Sequence, residues 1–391
     1  MTFCLAYIFS VFGYEYIFFI MTLHVYDLTK NALNVSIFTA LTIIPNFLSP
    51  IYGAIADRYQ RQRVLAVAAL ITSGLIFILS FTREIGGIYL LWFFISIALT
   101  MITNVRGSLF AEVLPAHNYH AGNSTMLALS NGTRIVAPLI GGLAISIIHI
   151  NGMIYTVCLI YLMAAIISCL IKPRAYARSS GRLDQKIKGL AGFQYIKRNA
   201  SIKYLVLISF FWRLFLGLQV SLWIIYVKTY LNGSDAQYGY FITLLSLGSI
   251  FGSIVGPWIK NWVSERTLII CGLCVHYSTF AALGLTNQFY PACVVVLISF
   301  STFYATLVCM HTIRDRETQS SIRGRVYGTV SALLGPPAII SMIVGGYLAE
   351  RVGVNWILLY AGILAMISLA GINLMMQSQI KTFRANNTPA M

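Results

Sequence analysis

Long apolar runs alternate with short polar breaks along the whole chain, and the spacing of the breaks predicts the elements. Continuous apolar stretches of helix length place spanning helices near 3–26, 33–56, 64–82, 87–111, 123–148, 152–171, 204–227, 237–259, 267–285, 290–311, 326–348 and 354–376. Runs of roughly 20 residues at 1.5 Å per residue match a hydrocarbon layer about 30 Å thick. A β-barrel is excluded, because its strands are short and alternate in polarity whereas these runs are apolar throughout. The one long polar connection, 172–203, leaves six runs on either side. The pattern predicts an all-α membrane protein with twelve transmembrane helices in two six-helix halves. These are an N-terminal half (1–171), a basic cytoplasmic linker (172–203), a C-terminal half (204–376) and a cytoplasmic tail (377–391).

Composition agrees: 58% of the 391 residues are hydrophobic and 10% charged, against roughly a quarter charged in soluble domains. The net charge of +16 would point a soluble chain toward nucleic acid, so the placement of the charges decides. Arg58, Arg61 and Arg63, the linker, and the connections around Lys260, Arg266, Arg314 and Arg325 fall on one side with the C-terminal tail. They carry twenty basic residues, against only Lys30, Arg83, Lys228 and Arg351 on the other side. By the positive-inside rule both termini and the 57–63 loop are cytoplasmic, and nucleic acid is not a partner. The second half of the linker, "GLAGFQYIKRN", spaces Leu190, Phe193 and Ile196 as an amphipathic helix lying on lipid or on the bundle. All seven cysteines fall in apolar runs, so no disulfide framework or metal site is implied, and the Cys271–Cys274 pair reads as packing. The first apolar run lacks a basic leader and a small-residue cleavage site, and is expected to stay as the first helix.

Ionisable residues inside the runs carry the candidate chemistry. Glu15, Arg106, Arg134 and Arg213 lie within predicted helices, where each costs at least about 2.5 kcal/mol and usually faces a cavity or a partner. Glu15 is the acidic residue nearest mid-membrane, which nominates it for proton coupling, with a structural ion pair to an arginine as the alternative. Guanidinium forks suit carboxylates and phosphates, so the arginines point to an anionic or carboxylate-rich substrate. Arg134 and Arg213 are the deeper pair, and Arg106 lies nearer the cytoplasmic end. His24, His149, His276 and His311 read as interfacial or packing residues near helix ends. The Gly248, Gly252, Gly256 spacing reads as a helix-packing face.

Enzyme readings find no support in motifs: there is no GxxxxGK[ST] loop, HExxH or GxSxG, so no catalytic residue, metal or cofactor is assigned. Internal repetition supports two duplicated halves. Gly53 and Arg63 recur as Gly256 and Arg266 at an offset of 203, and Gly141-Gly142 recurs as Gly345-Gly346 at an offset of 204.

Twelve runs, two halves and the stretch "GAIADRYQRQRVL" after the second helix resemble the major facilitator superfamily. Gly53, Asp57, Arg58, Arg61 and Arg63 match its signature between helices two and three, with Gln60 where glycine is usual. "HVYDLTKNALNVS", "AEVLP", "AGNSTMLALSNGTRIVAPLIGG" and "RGRVYG" resemble the efflux branch that holds macrolide exporters and enterobactin-type siderophore exporters. Gly132, Pro138, Gly141 and Gly142 are similar to the exporter motif of helix five, with Ala137 replacing a glycine, and suggest close packing or a hinge.

The resemblance implies a monomeric, proton-coupled exporter in a bacterial inner membrane, working by alternating access on a small molecule such as a siderophore. A multidrug or macrolide-type pump, an importer of the same substrates, and a non-transporting sensor are the alternatives. Protons, the substrate and membrane lipid are the expected partners. Asp57 is further expected to accept from the helix-eleven N-terminus near Arg323 and Arg325, latching a cytoplasmic gate.

Overall fold

The computed structural model describes residues 2–113, 119–171, 191–319 and 322–386. These residues form helices α1 (Thr2–Thr29), α2 (Ala32–Leu41), α3 (Ser49–Arg58), α4 (Arg61–Leu79), α5 (Ile85–Val113), α6 (Tyr119–Cys169) and α7 (Ala191–Arg198). They continue with α8 (Ala200–Val220), α9 (Trp223–Ile225), α10 (Asp235–Ile259), α11 (Glu265–Leu285), α12 (Phe289–Glu317), α13 (Arg323–Val352) and α14 (Val354–Asn386). Among the described residues 11 segments are long and apolar enough to cross a membrane. Two of them, Ser124–Ile145 and Ile147–Cys169, lie in α6, whose helical backbone is interrupted by a kink at His149 (φ 50°, ψ 169°).

The predicted second helix, 33–56, is broken in three. α2 ends at Leu41, a 3-10 turn spans Ile44–Leu48, and α3 begins at Ser49. Prolines stand in the first two positions of both the turn and α3, where the missing N–H costs no helical bond but ends the preceding one. Local polar groups tie off the break: Asn46 Nδ2 donates to the Ile43 carbonyl at 3.1 Å and Ser49 Oγ to the Asn46 carbonyl at 2.7 Å. Upstream, Asn31 caps α2 by accepting from the Asn34 N–H at 2.9 Å.

The chain clusters into two compact units, Met1–Gly181 with Ile224–Ser246, and Arg182–Trp223 with Leu247–Met391. In a bilayer the lipid tails are as apolar as leucine, so helices associate through close packing and not through escape from water. In the first unit α1 lies against α6 at two glycines. A Cβ on Gly13 would stand 2.9 Å from the Tyr161 ring, and one on Gly141 2.6 Å from the Phe19 ring. Backbones come closest where α6 meets α10, for a Cβ on Gly142 would lie 3.0 Å from the Gly239 Cα. Phe38 and Trp92, both fully buried, hold α2 to α5 with ring centroids 4.5 Å apart.

In the second unit the Gly248, Gly252, Gly256 face of α10 packs on α12: a Cβ on Gly248 would sit 2.6 Å from the Leu297 carbonyl oxygen, and one on Gly256 2.8 Å from the Ala305 Cα. The amphipathic α7 rests on the bundle. Ile196 is buried with Ile202, Val326, Val330 and Leu334, and the Tyr195 hydroxyl donates to the Glu317 carbonyl at 2.6 Å. Phe193, Lys197 and Arg198 stay exposed, while Leu190 lies outside the described residues.

Candidate functional site

A cavity of about 240 Å³ opens within the first unit between α1, the broken second helix, α5 and α6. α1 brings Ser10, Tyr14 and Glu15 to it, α5 brings Arg106, and α6 brings Ser130 and Arg134. Three of the four intramembrane ionisable residues singled out from the sequence therefore share one lining. Arg134 Nε donates to Glu15 Oε1 at 3.1 Å, with 49% and 21% of the two side chains accessible. This ion pair is bathed by the cavity and not sealed in a dry core.

Arg106 is held differently. Its Nη1 donates to Ser10 Oγ at 2.9 Å, and the guanidinium stands 4.4 Å from the centroid of the Tyr7 ring. No carboxylate pairs with it among the described residues. Glu15 being balanced by Arg134, the lining keeps one uncompensated positive charge, that of Arg106. A cation fixed by an aromatic face and a hydroxyl is positioned in advance for an anion.

On the same helix as this charge, α5 presents a polar row, Ser96, Thr100, Thr103 and Asn104, and the break in the second helix adds Thr42 and Asn46. Thr100 Oγ1 donates to the Ser96 carbonyl at 2.8 Å, Thr103 Oγ1 to the Leu99 carbonyl at 3.0 Å, and Asn104 Nδ2 to the Thr100 carbonyl at 2.8 Å. Ser96 is 4% exposed and its Oγ has no partner among the described residues. The sequence reading passed over all of these residues. The signal that would have found the row is the four-residue spacing of Ser96, Thr100 and Asn104, which places them on one face of a helix.

The other expected site residues lie elsewhere. Arg213 belongs to the second unit, where its guanidinium stands 5.0 Å from the Trp212 ring centroid and its buried Nε has no partner among the described residues. In the charged segment that ends α3, Gly53 has open space where a Cβ would be, and Arg58 lies 5.7 Å from the Tyr59 ring centroid. Arg63 is exposed and Arg61 half-buried. The side chains of Asp57, Arg323 and Arg325 lie outside the described residues, and the expected latch falls there with them. In the exporter-like segment Gly132 faces open space, whereas Gly141 and Gly142 are the tight contacts described above. α6 runs on through Pro138.

His276 corrects a sequence-based expectation. It sits in the middle of α11 and not near an end, 1% exposed, with Nδ1 2.9 Å from Ser299 Oγ and 3.1 Å from the Ser299 carbonyl. The imidazole thus ties α11 to α12. No group of three or more His, Cys, Asp or Glu able to hold a metal occurs among the described residues.

Comparison with known proteins bears on this geometry at the level of the family. The family model described as Major Facilitator Superfamily matches residues 3–335. An uncharacterized MFS-type transporter, YfiS of Bacillus subtilis, is 21% identical over 362 residues, covering 90% of this chain and 86% of that protein. Macrolide efflux protein A of Streptococcus pyogenes is 20% identical over 356 residues, covering 87% of each. Among solved structures, the nucleoside transporter NupG superposes with a TM-score of 0.80 at 12% identity, covering 96% of this chain and 100% of that one. A bacterial homologue of the iron transporter ferroportin superposes with a TM-score of 0.74 at 15% identity, covering 95% and 98%. At these identities the structural likeness establishes the fold.

Proposed function

The chain belongs to the Major Facilitator Superfamily, is a transporter and not an enzyme, and on that footing we propose that it exports a small anionic or carboxylate-rich molecule in exchange for protons. In this reading the membrane is a bacterial inner membrane with both termini on the cytoplasmic side. The broken segment α2 to α3 counts as the twelfth crossing, giving two six-helix halves joined by the linker, and the cycle is one of alternating access.

The observation that carries the reading is the Glu15–Arg134 pair at 3.1 Å in a cavity that also holds Arg106. Ionised Glu15, held by Arg134, keeps an oxygen free to accept from a donor group of the substrate, whose anionic group lies on Arg106. A proton taken up by Glu15 removes that acceptor and weakens substrate binding, and loss of the proton restores it. Protons and substrate then alternate at one carboxylate, which is an unfavourable coupling free energy between two ligands of the same site.

The test starts from the compound that wild-type cells secrete and a deletion strain retains, found by profiling the medium with and without iron. In proteoliposomes that compound should dissipate an imposed pH gradient. Glu15→Gln should bind it but move no protons, and undiminished proton movement through that variant would sink the coupling role. A macrolide-type drug is the second reading, favoured by the similarity to macrolide efflux protein A. Against it, 240 Å³ falls below the roughly 300–1,000 Å³ of drug-sized pockets, and the lining is hydroxylated.

A further inference from the structure

The cavity of the first unit has a direction to its hydrogen bonding as well as a sign to its charge. A hydroxyl group carries one hydrogen and two lone pairs. Thr100 and Thr103 commit their hydrogens to the Ser96 and Leu99 carbonyls of their own helix at 2.8 and 3.0 Å, and Thr42 commits its hydrogen to the Thr39 carbonyl at 2.6 Å. What these side chains can still offer to a ligand is therefore acceptor oxygen, from α5 on one side and the break in the second helix on the other. Ser96 Oγ, on a residue 4% exposed, lines the same cavity with no partner among the described residues. Buried polar atoms are nearly always satisfied, so an orphan in a cavity wall points to an absent hydrogen-bonding group.

Arg106 is the complement. A guanidinium only donates. One nitrogen is spent on Ser10, one face on Tyr7, and no carboxylate balances it among the described residues. Its single excess charge matches one negative charge. A phosphate monoester, with about −1.5 to −2 charges at pH 7, would be left undercompensated. The volume of about 240 Å³ corresponds to about eight liquid waters at ≈ 30 Å³ each, the scale of a six-carbon acid.

We propose that this cavity selects a small polyhydroxylated monocarboxylate, its carboxylate on Arg106 and its hydroxyls donating to Thr42, Thr100 and Thr103, with Ser96 Oγ at the buried end. The proposal rests on the reading of this cavity as the transport site and narrows its substrate class. An anion without hydroxyls would fill the same space but strand the acceptors, and sites built to pair a substrate hydroxyl reject analogues lacking it strongly.

The experiment is titration calorimetry on the purified full-length protein in nanodiscs with four probes: gluconate, hexanoate, sorbitol and 6-phosphogluconate. Gluconate should bind, with hexanoate and sorbitol each at least about thirtyfold weaker and 6-phosphogluconate weaker than gluconate. The Thr100→Val, Thr103→Val double variant should bring gluconate and hexanoate within about threefold, while Thr100→Ser, which keeps the hydroxyl, should retain the gap and report on folding. Arg106→Gln should abolish the preference of gluconate over sorbitol. Equal binding of hexanoate, tighter binding of 6-phosphogluconate, or no binding of gluconate would overturn the proposal. Gluconate binding in the expected order without any proton movement in proteoliposomes would support the substrate class while removing proton coupling, so the two failures are distinguishable.

Discussion

Glu15, Arg106 and Arg134 are conspicuous in the sequence because a charge inside an apolar run is expensive and needs a reason. Ser96, Thr100, Thr103 and Thr42 are not, because a hydroxyl on a helix satisfies itself on the carbonyl one turn back and leaves no trace in the apolar pattern. Half of the cavity was thus legible and half silent, and the half that speaks to specificity was the silent one. The relative weight of the arginines was also hidden. Depth along a helix does not say which cation has a carboxylate beside it, and only the packing of α1 between α5 and α6 gives Arg134 that partner, while Arg106 has none among the described residues. Two predictions belong at this scale. In a double-mutant cycle for thermal unfolding in detergent, Glu15→Gln and Arg134→Gln should couple by about 1 kcal/mol and no more, because solvent reaching the pair screens it. A coupling several times larger would mean a dry pair. His276→Phe should keep the contact with Phe303, at 4.9 Å between ring centroids, and lose the Ser299 hydrogen bonds for about 1 kcal/mol. His276→Ala should cost about 3 kcal/mol through the added cavity, and equal costs for the two would show that packing contributes nothing there.

At the scale of elements, eleven of the predicted runs were readable because their periodicity needs only length and apolarity. The exception, 33–56, has the composition of a spanning helix but carries Pro45 and Pro50 five residues apart. Local backbone chemistry overrode the apolar pattern, and the result brings Asn46 into the cavity wall. Glycine motifs show a different limit. Sequence can say that Gly132, Gly141 and Gly142 permit close approach, but not which of them uses it, since the partner Gly239 lies about a hundred residues further on. Gly239→Ala would drive its Cβ to 2.7 Å from the Pro138 carbonyl oxygen and 2.9 Å from the Gly142 Cα. Both are backbone atoms that cannot rotate away, so the variant should lose about 1–3 kcal/mol of stability. Gly132→Ala, with nothing within 4 Å, should instead gain about 0.5–1 kcal/mol from reduced backbone entropy. Comparison of their unfolding midpoints in detergent checks both, and a stable Gly239→Ala protein would show that the α6–α10 approach is looser than drawn.

For the whole molecule the determinant is the distribution of charge, which no single helix reveals. Twenty basic residues on one set of alternating connections and four on the other give a bias that fixes orientation during insertion. This expectation depends on counting and not on packing, so it can be drawn from the sequence alone and is open to direct test. The bias makes a definite forecast. Alkaline phosphatase, active only outside the cytoplasm, should be inactive when fused after Gln60 or Ser264 and active when fused after Asn151 or Asn232, by at least about tenfold. A fluorescent protein at the C-terminus should show the reverse behaviour and fluoresce. The fusion after Gln60 is the sharpest, since it follows the broken α2 to α3 segment and precedes α4. If that segment spans the membrane, the fusion is cytoplasmic and silent. If it merely dips in and returns, every later connection is reversed against its charges, and strong phosphatase activity after both Gln60 and Ser264 would replace the twelve-crossing topology with an eleven-crossing one.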